Sequence, residues 1–115
     1  MRKIFVSSLL VFIVIIGNVR ADSFEITTKV SEVMGYAMNS NYESDQCVVY
    51  FEKSTPTVCK WKTRVVIKTD KGAGDLMCSI AMTALVSDKN IKVASADDTC
   101  EFHNSPVARY LSIVK

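Results

Sequence analysis

Apolar and polar residues alternate with a period of two in five stretches of the chain, which is the pattern of half-buried β-strands. The five predicted strands cover residues 26–38, 46–53, 61–69, 90–96 and 107–114. Between the third and the fourth strand, apolar residues recur every three or four positions, which predicts an amphipathic helix over residues 72–87. The predicted order of elements is therefore β-β-β-α-β-β.

The first predicted strand carries an irregularity. Its alternation slips near Ser31 and Glu32, and Gly35 lies inside the strand. A slip and an interior glycine are typical of a β-bulge, which allows a sheet to coil into a barrel. Five short strands with one helix after the third are the order of the Greek-key OB barrel. We therefore expect a mainly β, OB-fold-like barrel, with a two-layer α+β sheet as the alternative.

Residues 1–21 have the pattern of a signal peptide. A basic start precedes a thirteen-residue apolar run, and Val19 and Ala21 occupy the small-residue positions of a cut before Asp22. The run is shorter than the about 20 apolar residues that a membrane span requires. We predict that this leader is cleaved and that residues 22–115 form one domain, with an uncleaved amino-terminal anchor as the alternative.

The charge balance changes once the predicted leader is removed. The chain has 14 Lys and Arg against 12 Asp and Glu, and the leader takes away three basic residues and no acidic one. The remaining 94 residues then have a net charge of −1. Because nucleic-acid binding needs a surplus of clustered Lys and Arg, we do not expect a nucleic-acid partner.

Four cysteines in a small exported domain predict disulfides. None of them is in a C-x-x-C pair, which argues against a zinc site and against thioredoxin-like redox chemistry. Their positions favour a bond from Cys59, before the third strand, to Cys100, after the fourth. Cys47 and Cys78 then form the second bond, or Cys78 remains a buried thiol. The expected location is the periplasm or the exterior of the cell.

The chain offers few groups for catalysis. His103 is the one histidine, and no nucleophile motif accompanies it. Asp97 and Asp98 are adjacent, so their side chains point apart and form a poor acid–base pair. Gly72 and Gly74 are explained by the start of the predicted helix, without a phosphate-binding loop. We expect no enzymatic activity, no metal and no cofactor.

Aromatic side chains are the candidates for ligand binding, because saccharides stack on exposed aromatic rings. Trp61 falls on the apolar side of its predicted strand, which favours a role in the core or in an interface. Tyr42 lies in a polar turn over residues 39–45, so it is the aromatic residue that we expect first to be exposed. The further candidates are Tyr36, Tyr50 and Tyr110.

The segment over residues 76–100, LMCSIAMTALVSDKNIKVASADDTC, resembles the helix and fourth strand of bacterial toxin B subunits. These are the Shiga toxin B subunit and the group of subtilase-cytotoxin and typhoid-toxin B subunits. In both patterns, a helix rich in Leu, Ser and Ala leads into an alternating strand that ends in a cysteine, here Cys100. Small exported bacterial proteins look similar from Cys59 and Trp61 onward. The glycine that commonly follows the helix is replaced here by residues 87–89.

The resemblance implies a function for the whole chain. The toxin subunits form ring-shaped pentamers that bind host glycans and carry an enzymatic subunit. We therefore expect a secreted, non-catalytic binding module for a host glycan or surface receptor, with a homopentamer and an enzymatic toxin subunit among its partners. No ligand-binding residue is transferred, because the sugar-binding loops do not align. The alternative is a stand-alone periplasmic or secreted accessory factor or inhibitor that binds another protein.

Overall fold

The structure is a computed structural model that describes residues 23–37, 45–69, 72–101 and 103–115, without the side chains of residues 96–99. The predicted leader over residues 1–21 and its cut before Asp22 lie outside the described residues. The same holds for Tyr42 and for nearly all of its predicted turn.

Five strands form a closed barrel in the order β1-β2-β3-β5-β4. All neighbouring pairs are antiparallel except β3 and β5, which are parallel. The predicted OB-fold-like order β-β-β-α-β-β is confirmed, and the two-layer α+β alternative is wrong. The elements are β1 (Phe24–Tyr36), β2 (Gln46–Phe51), β3 (Arg64–Lys68), α1 (Gly74–Ser87), β4 (Asn90–Glu101) and β5 (Ser105–Val114).

Strand β1 changes its neighbour halfway along its length. Its first half, through Lys29, pairs with β4, and its second half, from Val30, pairs with β2. The register shifts between Val30 and Glu32, which leaves Ser31 as an extra residue in the strand. The bulge predicted near Ser31 is thus confirmed. Because a bulge bends its strand, β1 can serve both sides of the barrel.

Two predicted boundaries differ from the structure by three residues or more, and both differences affect the candidate site. Strand β4 continues to Glu101, where a loop over residues 97–106 was expected, because the ladder with β5 resumes at Cys100 and Pro106. Strand β3 begins at Arg64, three residues later than expected, so Trp61 lies in the preceding loop. In both strands, the alternation of polar and apolar residues alone predicted the wrong end of the hydrogen-bonded ladder.

The interior of the barrel is filled by aliphatic and aromatic side chains from all five strands. Ala81 and Ala84 are the residues of α1 that this core buries fully. The apolar stripe predicted for the helix is only partly correct, since Leu76 and Leu85 are exposed. The core strand residues include Val49, Phe51, Val65, Ile67, Ile91, Val93 and Leu111.

Strands β2 and β3 are also buried on their outer face. Val48 and Val66 have no exposed surface, and Met34 and Tyr50 pack against them. Arg64 lies two residues before Val66, on this same outer face, because side chains of a strand alternate between its two faces. The outer face of β2 and β3 therefore supplies a firm base beside Arg64.

The start of α1 approaches β3 closely, and Gly74 makes this approach possible. A Cβ atom on Gly74 would overlap the carbonyl oxygen of Lys68 and lie 2.8 Å from Cα of Thr69. Ala73 is the N-cap residue and contributes no side-chain cap. Because backbone atoms cannot move aside as a flexible side chain can, the packing of α1 on β3 requires glycine at this position.

We expect Gly74→Ala to lower the free energy of unfolding by about 2 kcal/mol, which is the usual cost of overpacking. Helix propensity alone predicts the opposite sign, since alanine is the better helix former by about 1 kcal/mol. Urea unfolding of the oxidised protein measures the difference. Gly35→Ala is the control, because nothing lies within 4 Å of that position. A stabilised Gly74→Ala protein would contradict the close approach.

Candidate functional site

Two connections of the barrel meet at one place and form the candidate site. The first is the loop between β2 and β3, over residues 52–63, and the second is the tight turn between β4 and β5 at His103 and Asn104. The disulfide between Cys59 and Cys100 joins them, with 5.5 Å between the two Cα atoms. The loop is thus anchored at its centre to the end of β4.

A second disulfide joins Cys47 of β2 to Cys78 of α1. These two bonds are the pairs that the sequence analysis favoured, and no cysteine of the chain is free. Disulfides of this kind form in oxidising environments outside the cytosol, so the chain belongs to an exported, oxidising environment. Within the described ranges, no helix is long and apolar enough to cross a membrane, and no group of three His, Cys, Asp or Glu residues could hold a metal ion.

The loop between β2 and β3 is held by its own hydrogen bonds. The backbone N–H of Thr55 donates to the carbonyl of Lys62 at 2.8 Å, and that of Cys59 donates to Oγ1 of Thr57 at 3.1 Å. The ammonium of Lys62 donates to the carbonyl of Thr57 at 2.6 Å. With the disulfide at Cys59, these bonds fix the part of the loop that leads to Trp61.

Asn104 connects the β4–β5 turn to the same loop. Its side-chain Oδ1 accepts the backbone N–H of Lys60 at 3.0 Å, and its carbonyl accepts the N–H of Trp61 at 3.4 Å. Its φ of 60° lies in the left-handed region, which asparagine tolerates better than most residues. The bond to Oδ1 fixes the orientation of the Asn104 amide. No described group accepts a hydrogen bond from its NH₂, which therefore remains available as a donor.

Arg64 lies at the base of the site and is 7% exposed. Its guanidinium donates three hydrogen bonds, all to neutral groups: Nε to Oγ of Ser105 at 2.8 Å, Nη1 to the hydroxyl of Tyr50 at 3.0 Å, and Nη2 to the carbonyl of His103 at 3.4 Å. No carboxylate that the structure describes forms an ion pair with it. Among the side chains that the structure describes, Arg64 is therefore a buried cation with hydrogen-bond partners but without a carboxylate partner.

Trp61 stacks on Arg64. Cζ of the guanidinium lies 4.3 Å from the centre of the indole, and Nζ of Lys60 lies 5.5 Å from the same centre. Both cations are attracted by the electron-rich face of the ring. Trp61 still keeps 40% of its surface exposed. Of the two roles expected for Trp61, the one in the core is thus wrong, because β3 begins only at Arg64 and leaves Trp61 in the loop, and the one in an interface stays a prediction.

These residues surround an open cleft of about 480 Å³, lined by Lys60, Trp61, Arg64, His103 and Asn104. The volume lies in the range of small-molecule sites, about 300–1,000 Å³. The described lining combines one exposed aromatic ring with hydrogen-bond donors and includes no carboxylate. Such an arrangement can stack against a ligand and donate hydrogen bonds to it.

The other candidate residues are dispersed. Tyr50 belongs to the site as a partner of Arg64, and His103 contributes its carbonyl there. Tyr36 and Tyr110 are partly exposed elsewhere, Tyr110 in a shallow groove beside Ser95. The side chains of Asp97 and Asp98 lie outside the described residues. Gly74 serves the packing of α1, as described above.

Sequence reasoning missed Lys60, Arg64 and Asn104. A usable signal was present for the first two, because the run Lys60-Trp61-Lys62-Thr63-Arg64 surrounds the single tryptophan with three basic residues. Asn104 had no such signal, since its role depends on the left-handed turn that brings it to the loop.

Comparisons of this chain with protein-family models, with curated proteins and with solved structures find no match. The resemblance to toxin B subunits thus rests on the sequence pattern over residues 76–100.

We expect removal of the Cys59–Cys100 disulfide, in Cys59→Ala/Cys100→Ala, to expose Trp61 further. A disulfide that closes a loop of 41 residues contributes roughly 4 kcal/mol to stability, and here it also holds the loop in place. Acrylamide quenching of the single tryptophan is the measurement, and the quenching constant should rise under conditions where circular dichroism still shows a folded barrel.

Cys47→Ala/Cys78→Ala is the matched control, since it removes a disulfide of similar loop length that does not touch the site. It should lower stability by a similar amount and leave the quenching of the folded protein unchanged. Equal quenching in both double variants would show that Cys59–Cys100 does not position Trp61.

Proposed function

We propose that this protein is a secreted, non-catalytic binding module that recognises a saccharide at the cleft around Trp61. One observation carries the proposal: an indole that is 40% exposed lies beside Lys60 and Asn104, whose donors face no described acceptor. Saccharides offer C–H faces for stacking and many oxygen acceptors, so they match both properties of the cleft. A host glycan or a glycosylated surface receptor is the corresponding partner.

The rigidity of the cleft supports a binding role. Arg64 is held by three hydrogen bonds, Trp61 is stacked on it, and the loop is fixed by Cys59 and by Asn104. A site that is already ordered loses little conformational entropy when a ligand binds. Small modules with a shallow cleft can reach useful affinity in this way.

The proposal includes export through a cleaved signal peptide over residues 1–21. The two disulfides agree with it, because they form in the oxidising compartments to which such leaders direct a chain. The proposal keeps the expected non-catalytic role, and among the described residues that line the cleft no hydroxyl or thiol stands next to a base that could activate it.

We expect Trp61→Ala to weaken saccharide binding about 30-fold, the effect of losing about 2 kcal/mol at a central aromatic contact. Ligands are first identified on a glycan array with the oxidised protein, and affinities are then measured by calorimetry. The control is Tyr110→Ala, which removes an aromatic residue of similar exposure outside the cleft. The proposal fails if Trp61→Ala binds every array ligand as tightly as the unmodified protein.

A second candidate function, association with another protein chain, is favoured by the solvent face of α1. Leu76, Met82 and Val86 are exposed on it, Val86 to 85%. Exposed apolar patches of this kind are typical of protein contacts. Asp75 is the one charged residue of the helix, so two copies of this face can meet with little charge repulsion. The proposed occupant is a second copy of this chain that presents the same face, as in a two-fold symmetric dimer.

We expect the oxidised protein to have a multiple of the monomer mass in light scattering, and Leu76→Ser/Val86→Ser to reduce that mass to one chain. The reason is the loss of apolar surface that only an assembly would cover. Ile113→Ser removes an exposed apolar side chain of β5, outside the helix, and should leave the mass unchanged. A monomeric unmodified protein would exclude the homopentamer and leave the saccharide proposal untouched.

A further inference from the structure

The donors and acceptors of the cleft are strongly unbalanced. Lys60 presents an ammonium with three N–H groups, and Asn104 presents an amide NH₂. Arg64 uses three of its five N–H groups within the protein, which leaves two. On the acceptor side, Oδ1 of Asn104 and the carbonyl of His103 each already accept one hydrogen bond, and the imidazole of His103 is the one further lining side chain that the structure describes.

A neutral saccharide does not match this imbalance well. Its hydroxyl groups are donors as well as acceptors, so they leave hydrogens without partners when no acceptor stands opposite them. An acidic substituent is acceptor-only when ionised, and a carboxylate or sulfate has several lone pairs for N–H groups. The lining of the cleft therefore selects for an anion.

The charge of Arg64 also favours an anionic ligand. A buried guanidinium without a counterion is costly, and its neutral partners Tyr50, Ser105 and His103 offset only the hydrogen-bonding part of that cost. Lys60 adds a second positive charge, with its Nζ 5.5 Å from the centre of the same indole. None of the described carboxylates pairs with either residue, so the cleft is a local cationic site in a nearly neutral domain.

We propose that the saccharide bound at Trp61 carries an acidic substituent, a carboxylate or a sulfate ester, that lies against Lys60, Arg64 and the amide of Asn104. This inference rests on the proposed function and adds the class of its ligand. The sugar ring stacks on the exposed part of the indole while the acidic group receives the free N–H groups. A charge-assisted hydrogen bond of this kind is stronger than a neutral one and fixes the ligand's orientation.

The test uses four probes: an oligogalacturonate, a sulfated galacto-oligosaccharide, the neutral galacto-oligosaccharide of equal length, and a short single-stranded DNA. Binding is followed by calorimetry with the oxidised protein at low and at physiological salt. At least one acidic saccharide should bind about tenfold or more tightly than the neutral one, as expected for one charge-assisted contact. Comparison of the first two probes identifies the acidic group.

Asn104→Asp is the decisive variant. It keeps the oxygen that accepts from Lys60 and replaces the free NH₂ by a negatively charged oxygen, and aspartate also tolerates the left-handed conformation. It should lower the affinity for the acidic saccharide about tenfold more than that for the neutral one, because the neutral ligand loses one hydrogen bond and the acidic ligand also meets a like charge. Lys60→Gln should show a smaller loss in the same direction. Lys53→Gln, an equal change of charge elsewhere in the same loop, should have no effect.

The outcomes separate the two proposals. Equal binding of acidic and neutral saccharides, or equal losses for both in Asn104→Asp, would overturn the acidic ligand and leave saccharide binding at Trp61 intact. Binding of none of the saccharides would overturn both. Tighter binding of the DNA than of either acidic saccharide would also overturn the inference, because the cleft would then be a nucleic-acid site.

Discussion

The cross-link between Cys59 and Cys100 is the constraint on which the candidate site depends. It joins the middle of the β2–β3 loop to the end of β4, two segments that the barrel alone brings near each other without fixing them. Once the loop is anchored there, Asn104 can accept from the backbone of Lys60, and the indole of Trp61 can rest on Arg64. Without that anchor, a loop of this length would sample many conformations, and the cleft would have to be ordered by its ligand.

The barrel provides the other half of the arrangement. Arg64 is the first residue of β3, so its backbone is fixed by the ladder with β2, and Val48 and Val66 form a fully buried base beside it. Tyr50 and Ser105 come from the strands on either side and receive its N–H groups. A rigid scaffold that presents loop residues is the usual way in which small β-barrels bind ligands. The saccharide proposal follows from this combination of a fixed cation, an exposed ring and unused donors.

Periodicity predicted most of the fold because burial in a barrel requires it. The order of strands and helix and the bulge at Ser31 both follow from which residues face the core. The ends of strands were harder to predict, since Cys100 and Glu101 rejoin the ladder with β5 through the backbone, which the side-chain pattern does not reveal. Most of the site could not be predicted either, because backbone contacts that side-chain periodicity does not encode bring its residues together. Trp61 was placed on an apolar face by alternation, and the part played by Asn104 depends on a left-handed turn and on a partner 44 residues away in the chain.

The central claim is that ligand binding takes place at the Trp61 cleft, and nuclear magnetic resonance tests it most directly. The oxidised, ¹⁵N-labelled protein has one indole N–H resonance, which reports on Trp61 alone. On titration with a bound saccharide, we predict that this resonance and the side-chain amide of Asn104 shift in a saturable way, while the resonances of α1 stay in place. Shifts confined to α1, or to the groove beside Tyr110, would contradict the account.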